Sequence, residues 1–217
     1  MSRPQSIIGV DESGKGDFFG PLVVAALLTS ADEEKELVDL GARDSKLMAD
    51  RKLLGIDRQL RDRFEHALII LPPEEYNERY EHMRNLNKLL AWGHAAAIER
   101  TLQNSSADLA ISDKFGKSKL VEDALRGKGV NIPLKQIVRG EAVPQVAAAS
   151  ILARAALLRE INNLSEACGV VLPLGAAPKV DQAGRTIVQI HGVKILRRLA
   201  KLHFKNYQRV VNPTLFS

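Results

Sequence analysis

Four carboxylates, Asp11, Glu12, Asp113 and Glu141, share one context: each lies at or just beyond an apolar run of β character. The first two are neighbours in "IIGVDESGKGDFFGPLVVAA" (residues 7–26), where a buried-type strand gives way to glycines and a lysine. A hydrophobic core has no use for such a pair, because an unpaired buried carboxylate is costly or neutralises itself. In open α/β sheets, ligand sites gather at strand ends, where loops and helix N-termini meet. Carboxylates brought together there repel one another unless cations join them. Hard divalent cations such as Mg²⁺ take oxygen ligands from carboxylates and substrate phosphates. Two such ions about 4 Å apart activate a water and stabilise the leaving oxygen in phosphodiester hydrolysis. Acids at strand ends also serve as caps and turn formers, so no single one of them decides the matter. The first pair is set apart by the "SGKG" that follows, Ser13, Gly14, Lys15 and Gly16. Its glycines let backbone N–H groups approach a phosphate or sugar closely. The spacing is not that of a Walker A loop.

The elements that must position these acids are legible in outline. Residues 6–12 and 20–29 read as two strands joined by the glycine loop, a hairpin. Ser30 is placed to cap a short helix over residues 31–40, and Gly41 to close it. Residues 44–64 read as a helix, 65–72 as a strand, and 72–83 as a helix with proline in its first turn. Residues 85–104 form a longer helix, apolar at Leu86, Leu89, Leu90, Gly93, Ala97 and Ile98. A strand over 107–115 carries Asp113, a helix spans 118–129, and a strand over 131–141 ends near Glu141. A small-residue helix follows over 143–164, then two last helices over 180–192 and 193–204. An opening hairpin followed by alternating β and α units implies an α/β fold, a mixed sheet with helices packed on it.

Composition sets bounds. A chain of 217 residues, 45% hydrophobic and 26% charged, is ordinary for one globular core or one core with a small appendage. No composition break divides it, so residues 1–217 read as a single domain. No apolar run approaches the roughly 20 residues of a membrane span, and the N-terminus lacks a signal-peptide pattern. Cys168 is the only cysteine, which excludes an intramolecular disulfide and fits a cytoplasmic protein. The net charge of +5 is unevenly spread. Between Lys179 and Arg209 there are eight basic residues against Asp181 alone, leaving the rest of the chain at −2. Such a basic segment (about 179–209) suits either a solvated helix face or contact with a polyanion.

At this level of detail the motifs resemble a known family. "GVDESGKGDFFGPLVVAA" closely resembles the opening motif of the type 2 ribonuclease H superfamily, in the form seen in its ribonuclease HIII branch. "DSK" (Asp44 to Lys46), "EEYNERY", "NLNKLLAWGHAAAI", "GEAVPQVAAASILAR", "LPLGAAPKVD" and "AKLHFKNY" are similar to later segments of the same branch. The likeness runs from about residue 6 to about 208. It implies a ribonuclease H-like five-stranded mixed sheet flanked by helices. It also implies endonucleolytic hydrolysis of the RNA strand of RNA–DNA hybrids by two-metal-ion catalysis, leaving 5′-phosphate and 3′-hydroxyl ends. Asp11, Glu12, Asp113 and Glu141 become the metal ligands, with Mg²⁺ or Mn²⁺ as cofactor. Ser13, Gly14, Lys15 and Gly16 become the loop that reads the ribose 2′-hydroxyl and adjacent phosphates, and Lys46 a further substrate contact. The implied partner is RNA–DNA hybrid nucleic acid, with no membrane, and the expected state is a monomer.

Two departures bear on substrate choice. Ribonuclease HIII proteins commonly carry an N-terminal substrate-binding extension, and the motif here begins at residue 9. The "LPLGAAPKVD" segment has no tyrosine where ribonuclease HII proteins have the residue used at RNA–DNA junctions. Weak cleavage at a single embedded ribonucleotide is therefore expected. The alternatives are a ribonuclease HII-like enzyme that also cuts there, and a hybrid-binding module without catalysis.

Blander readings attach to other residues. Asp17 reads as structural and Asp181 as a helix cap. Trp92 reads as core, Cys168 as a small buried residue, and His203 as either packed or substrate-facing. His66, His82, His94 and His191 show no metal-ligand spacing.

Overall fold

The computed structural model describes residues 5–42 and 48–212. Lys46, with Asp44 and Ser45, lies outside the described residues. A five-stranded sheet of order β3-β2-β1-β4-β5 is built from β1 (Ser6–Ser13), β2 (Leu22–Ser30), β3 (His66–Leu71), β4 (Leu109–Asp113) and β5 (Leu134–Ile137). The opening hairpin sets β1 antiparallel to β2, with Glu12 opposite Val24, while β1 runs parallel to β4 and β4 parallel to β5. The sheet is mixed, as the resemblance implied.

β1 is central and covered on both faces, which is why its apolar residues run nearly unbroken rather than alternating with polar ones. On one face Ile8, Val10, Val24, Ala26 and Ala110 pack against α4 (Leu86–Thr101) and α5 (Lys119–Gly127), through residues such as Ala95, Ile98, Val121 and Leu125. On the other face Ile7 and Ile111 pack against Val146 of α6 (Pro144–Cys168). Even-numbered β1 residues thus face α4 and odd-numbered ones face α6, as the two-residue period of a strand requires.

The remaining helices are α1 (Glu34–Asp39), α2 (Asp50–Arg63), α3 (Pro73–Met83), α7 (Pro178–His191), α8 (Leu196–Leu199) and α9 (Lys205–Val211). Asn85 caps α4, its side chain accepting from the Lys88 N–H. Ser30 does not cap α1; its N–H and hydroxyl both donate to the Glu33 carboxylate, at 2.7 and 2.8 Å.

The chain packs as two compact units. The first comprises residues up to 13, 23–69 and 85–155; the second comprises 14–22, 70–84 and 156 onward. Two sequence expectations change. The strand expected over 131–141 is only four residues long. After it, Arg139 takes a left-handed conformation (φ 58°, ψ 55°) and Gly140, Glu141 and Ala142 form a 3₁₀ turn. The helix expected over 193–204 breaks at Ala200, which is extended (φ −139°, ψ 155°) and bridges Phe19 in antiparallel fashion; α9 then starts afresh. Trp92 is half-buried rather than core, with Lys128 Nζ 6.0 Å from its ring centroid. Cys168 is buried as expected.

Candidate active site

The site in the first unit is built from β1, β4, the 3₁₀ turn and α6. Gly9 sets the spacing. A Cβ there would overlap the backbone of Gln145 and Val146, so only glycine lets the first turn of α6 lie directly on β1. One step further on that face of β1 is Asp11, and one turn further along α6 is Ser150. The strand rises about 7 Å over two residues and the helix about 6 Å over four, so the two side chains meet. The Asp11 carboxylate is hydrogen-bonded with the Ser150 side chain and accepts from the Glu12 N–H at 2.8 Å.

Asp113 ends β4. The parallel register pairs Val10 with Ser112, so the next rung sets Asp113 beside Asp11 on the α6 face. Its Oδ1 accepts from the Gly140 N–H at 2.9 Å, a contact that the left-handed turn at Arg139 makes possible. Glu141 is the next residue along and is half-buried. Two predicted acids, Asp11 and Asp113, thus share one face at two adjacent strand ends, and Glu141 lies on the turn that follows.

Glu12 behaves differently. The strand period turns its side chain to the α4 face, where Oε2 lies 2.9 Å from His94 Nε2. Glu12 and His94 are 1% and 0% exposed. A carboxylate only accepts, so Nε2 carries the proton of this bond. The ring also lies against Phe115, centroids 4.7 Å apart, and Nδ1 has no hydrogen-bond partner among the described residues. Among the described residues no three His, Cys, Asp or Glu side chains stand in metal-holding geometry as they are.

The electrostatics of Asp11 follow from this placement. Burial, and next the neighbouring Glu12 charge, push its carboxyl up from the ordinary 3.8 to about 7. The Ser150 side chain, the Glu12 N–H and His94 pull it partly back. A buried carboxylate beside a second one creates a demand for positive charge, and oxygen donors of this kind fit a hard divalent cation.

Sequence reasoning missed His94, Ser150 and Gly9. His94 gave no signal because its partner is 82 residues away in the chain. Ser150 is the one hydroxyl in the run "AAASILARAA", and Gly9 the one glycine inside the apolar part of β1; both were visible as exceptions to their surroundings.

In the second unit, Gly14 (φ 92°), Lys15, Gly16 and Asp17 form a tight turn closed by the Asp17 N–H donating to the Gly14 carbonyl at 3.3 Å. Lys15 and Gly16 are exposed, and nothing lies within 4 Å of where a Gly16 Cβ would be. Asp17 is structural as expected, its carboxylate accepting from the Gly175 N–H at 2.6 Å. Asp181 is not a cap: it is pinned to α9 by Asn206 Nδ2 at 2.6 Å and Arg209 Nε at 2.8 Å. Lys201, counted above in the basic segment, is fully buried, so that segment offers fewer free cations than its sequence suggests. This unit also holds a cavity of about 400 Å³ lined by Pro21, Pro73, Leu164, Cys168 and Leu199 among others; no predicted site residue among the described residues lines it.

A mixed sheet of this order, with acids at the ends of neighbouring β1 and β4, has the architecture of a ribonuclease H-like nuclease. The ribonuclease HII family pattern matches residues 8–207. Ribonuclease HIII of Chlamydia abortus is 42% identical over 215 residues, covering 98% of this chain and 71% of that protein. Ribonuclease HIII of Chlamydia pneumoniae is 44% identical over 211 residues, covering 96% and 70%. The crystal structure of Bst-RNase HIII in complex with Mn²⁺ superposes with a TM-score of 0.89 at 32% identity, over 95% of this chain and 69% of that one. Ribonuclease H2 from Pyrococcus horikoshii, at 20% identity and TM-score 0.81, shares the fold. The chain belongs to the type 2 ribonuclease H family, in its ribonuclease HIII branch. It spans about 70% of the length of the curated relatives it matches.

No helix among the described residues is long and apolar enough to cross a membrane.

Proposed function

We infer that this protein hydrolyses the RNA strand of RNA–DNA hybrids, with Asp11, Glu12, Asp113 and Glu141 holding Mg²⁺ or Mn²⁺. The observation that carries this reading is the convergence of Asp11 and Asp113 on one face, with Asp11 buried beside Glu12 and its carboxyl raised to about 7. The Mn²⁺ in the Bst-RNase HIII structure supports the choice of ion. When bound, divalent cations of this class supply an activated water and stabilise the leaving oxygen, which yields 5′-phosphate and 3′-hydroxyl products.

The chain's own residues do the rest. Ser150 and the Glu12 N–H orient the Asp11 carboxylate, and the Gly140 N–H orients that of Asp113. Glu12 joins that set with its Oε2 held by His94 at 2.9 Å, since a carboxylate accepts at both of its oxygens. Ser13, Gly14, Lys15 and Gly16 read the ribose 2′-hydroxyl and neighbouring phosphates, the feature that separates RNA from DNA. The exposed backbone at Gly16 suits close approach of a sugar. Lys46 adds a phosphate contact, and the exposed cations of the basic segment hold the duplex by charge. The whole chain acts as one catalytic domain and as a monomer.

The test uses two end-labelled duplexes, a continuous RNA–DNA hybrid and DNA containing one ribonucleotide. Metal-dependent cutting of the hybrid, abolished in Asp11→Asn without loss of fold, is the expected result. Binding without cutting would replace the enzyme by a binding module. Efficient cutting of both duplexes would move the substrate range toward that of ribonuclease HII.

A further inference from the structure

Lys201 is an unusual residue to find with no exposed surface at all. A lysine buried alone is strongly penalised, and it survives only where hydrogen bonds replace its water. Here the replacement is backbone. Nζ donates to the carbonyls of Gly20 at 2.6 Å and Asp17 at 2.9 Å, and lies 3.5 Å from that of Phe19. It also sits 5.6 Å from the centroid of the Tyr76 ring. All of these partners belong to the second unit.

The carbonyls it gathers come from one segment, the one that closes the Gly14–Asp17 turn. Asp17 is the base of that turn, and each of its polar groups is committed inward. Its N–H goes to the Gly14 carbonyl, its carbonyl to Lys201, and its carboxylate to the Gly175 N–H. The same segment is held along its edge, since the Lys201 N–H donates to the Phe18 carbonyl at 2.8 Å and the Gly20 N–H to the Leu199 carbonyl at 2.9 Å. Lys201 is itself fixed in place. Asn77 of α3 donates to the carbonyls of Arg197 and Ala200 and accepts from the Leu202 N–H, at 3.2, 2.9 and 2.9 Å. The break between α8 and α9, which looked like helix in the sequence, places this lysine next to the turn.

We propose that Lys201 is a positioning residue for substrate recognition: its buried ammonium gathers the carbonyls of Asp17, Phe19 and Gly20 and so fixes the turn that presents Lys15 and Gly16. The inference rests on the reading of that turn as the reader of the ribose and its phosphates. Lys201 touches no substrate. It acts by removing the freedom of a glycine-rich turn before the hybrid arrives, so that ordering the turn is not charged against binding.

The experiment compares three forms of the full chain, wild type, Lys15→Ala and Lys201→Met, each first checked for folding by circular dichroism. KM and kcat are measured on an RNA–DNA hybrid, and the inhibition constant of a DNA duplex of the same sequence is measured as competitor. The expected result is that Lys15→Ala and Lys201→Met both raise KM by about fivefold or more, with a smaller fall in kcat. Lys201→Met should also narrow the preference for hybrid over DNA. A purely structural lysine would lower the active fraction, and hence kcat, while leaving KM and that preference at wild-type values. This outcome overturns the proposal. An effect of Lys15→Ala without one of Lys201→Met overturns the positioning role and leaves the reading of the turn intact. No effect of Lys15→Ala on KM removes that reading, and the proposal with it. Should Lys201→Met not fold, Lys201→Gln takes its place: its shorter neutral side chain keeps some polarity in the buried site but does not span the carbonyls of Asp17, Phe19 and Gly20, so KM should rise here too. A wild-type KM and preference in Lys201→Gln with kcat reduced would overturn the proposal in the same way.

Discussion

Each compact unit buries charge, and the two do so in opposite ways. In the first, Asp11 lies beside a second carboxylate, and burial together with that neighbour raises its ionisation to about 7. In the second, Lys201 is buried among carbonyls; burial draws it down from 10.5 to about 7 while Asp17 holds it up. The lysine is matched by acceptors of its own chain, so it is part of the fold's internal balance. The carboxylate pair sets two acids side by side, and a bound cation would relieve the repulsion that raises Asp11. In the proposed function the first kind of buried charge serves the reaction and the second serves the fold.

Replacing Asp11 is the strongest way to break this contrast. Asp11→Asn is expected to lower hybrid cleavage by about a thousandfold or more, measured as kcat/KM at saturating Mg²⁺. The same variant should be more stable than the wild type in metal-free buffer at pH 8. In the wild type the folded state holds a proton on Asp11 up to about pH 7, whereas the unfolded chain loses it near 3.8. The unfolded state thus binds fewer protons in that window, and stability falls as pH rises through it. The asparagine has no such loss, so its advantage is absent near pH 3, grows between 3.8 and 7, and reaches roughly 4 kcal/mol above that. Mg²⁺ should raise the melting temperature of the wild type and not of Asp11→Asn. A wild type indifferent to Mg²⁺ would contradict the contrast.

Gly9→Ala tests the architecture under the same carboxylate. The added methyl meets the backbone of Gln145 and Val146, which cannot swing aside as a side chain would. A destabilisation of about 3 kcal/mol in chemical denaturation is expected, together with loss of the Asp11–Ser150 contact and a fall in kcat. A stable, fully active Gly9→Ala would mean that α6 does not set Asp11.

Sequence alone took this protein a long way. The acids at strand ends, the hairpin and the small-residue helix over them were legible because apolar runs, glycines and the lone Pro144 each act locally. The faces of the acids were less so. Period-two alternation already separates Asp11 from Glu12, but only the packing of α4 on one side and α6 on the other gives that separation meaning. The basic run from Lys179 to Arg209 looked uniform, yet Lys201 points into the core and Arg209 is tied to Asp181. Carbonyl acceptors from residues 17–20 decide the fate of Lys201, and a sequence read for side chains does not display them. The break at Ala200 escaped notice for the same reason, since the residue is a good helix former pulled into a bridge with Phe19.

His94→Ala sharpens the contrast within the first unit. Removing the ring takes away the 2.9 Å bond that orients the buried Glu12 carboxylate. A fall in kcat of about tenfold is expected, with hybrid KM unchanged. An equal change in both would place His94 in substrate binding instead.

The smallest expected effect links Lys201 to its surface neighbour. Burial, and then the Lys201 charge, bring the His203 imidazole down from 6.5 to about 4. The ring stacks on Tyr80 with centroids 4.2 Å apart and on Tyr76 at 5.6 Å, which keeps one edge from water. In the folded state His203 stays neutral down to about pH 4, while in the unfolded chain it takes a proton near 6.5. Stability from this source is therefore present above 6.5 and lost as pH falls toward 4. Lys201 gives a slope of the same sign in the next window: the unfolded chain keeps its proton up to 10.5, so stability rises again with pH from about 7. Lys201→Met removes that second slope and, by deleting the nearby cation, moves His203 back toward 6.5. Histidine NMR titration of the two proteins reads the shift directly. An unmoved His203 would mean that burial and stacking alone set its ionisation, and that the charge of Lys201 is spent wholly on the carbonyls beneath the turn.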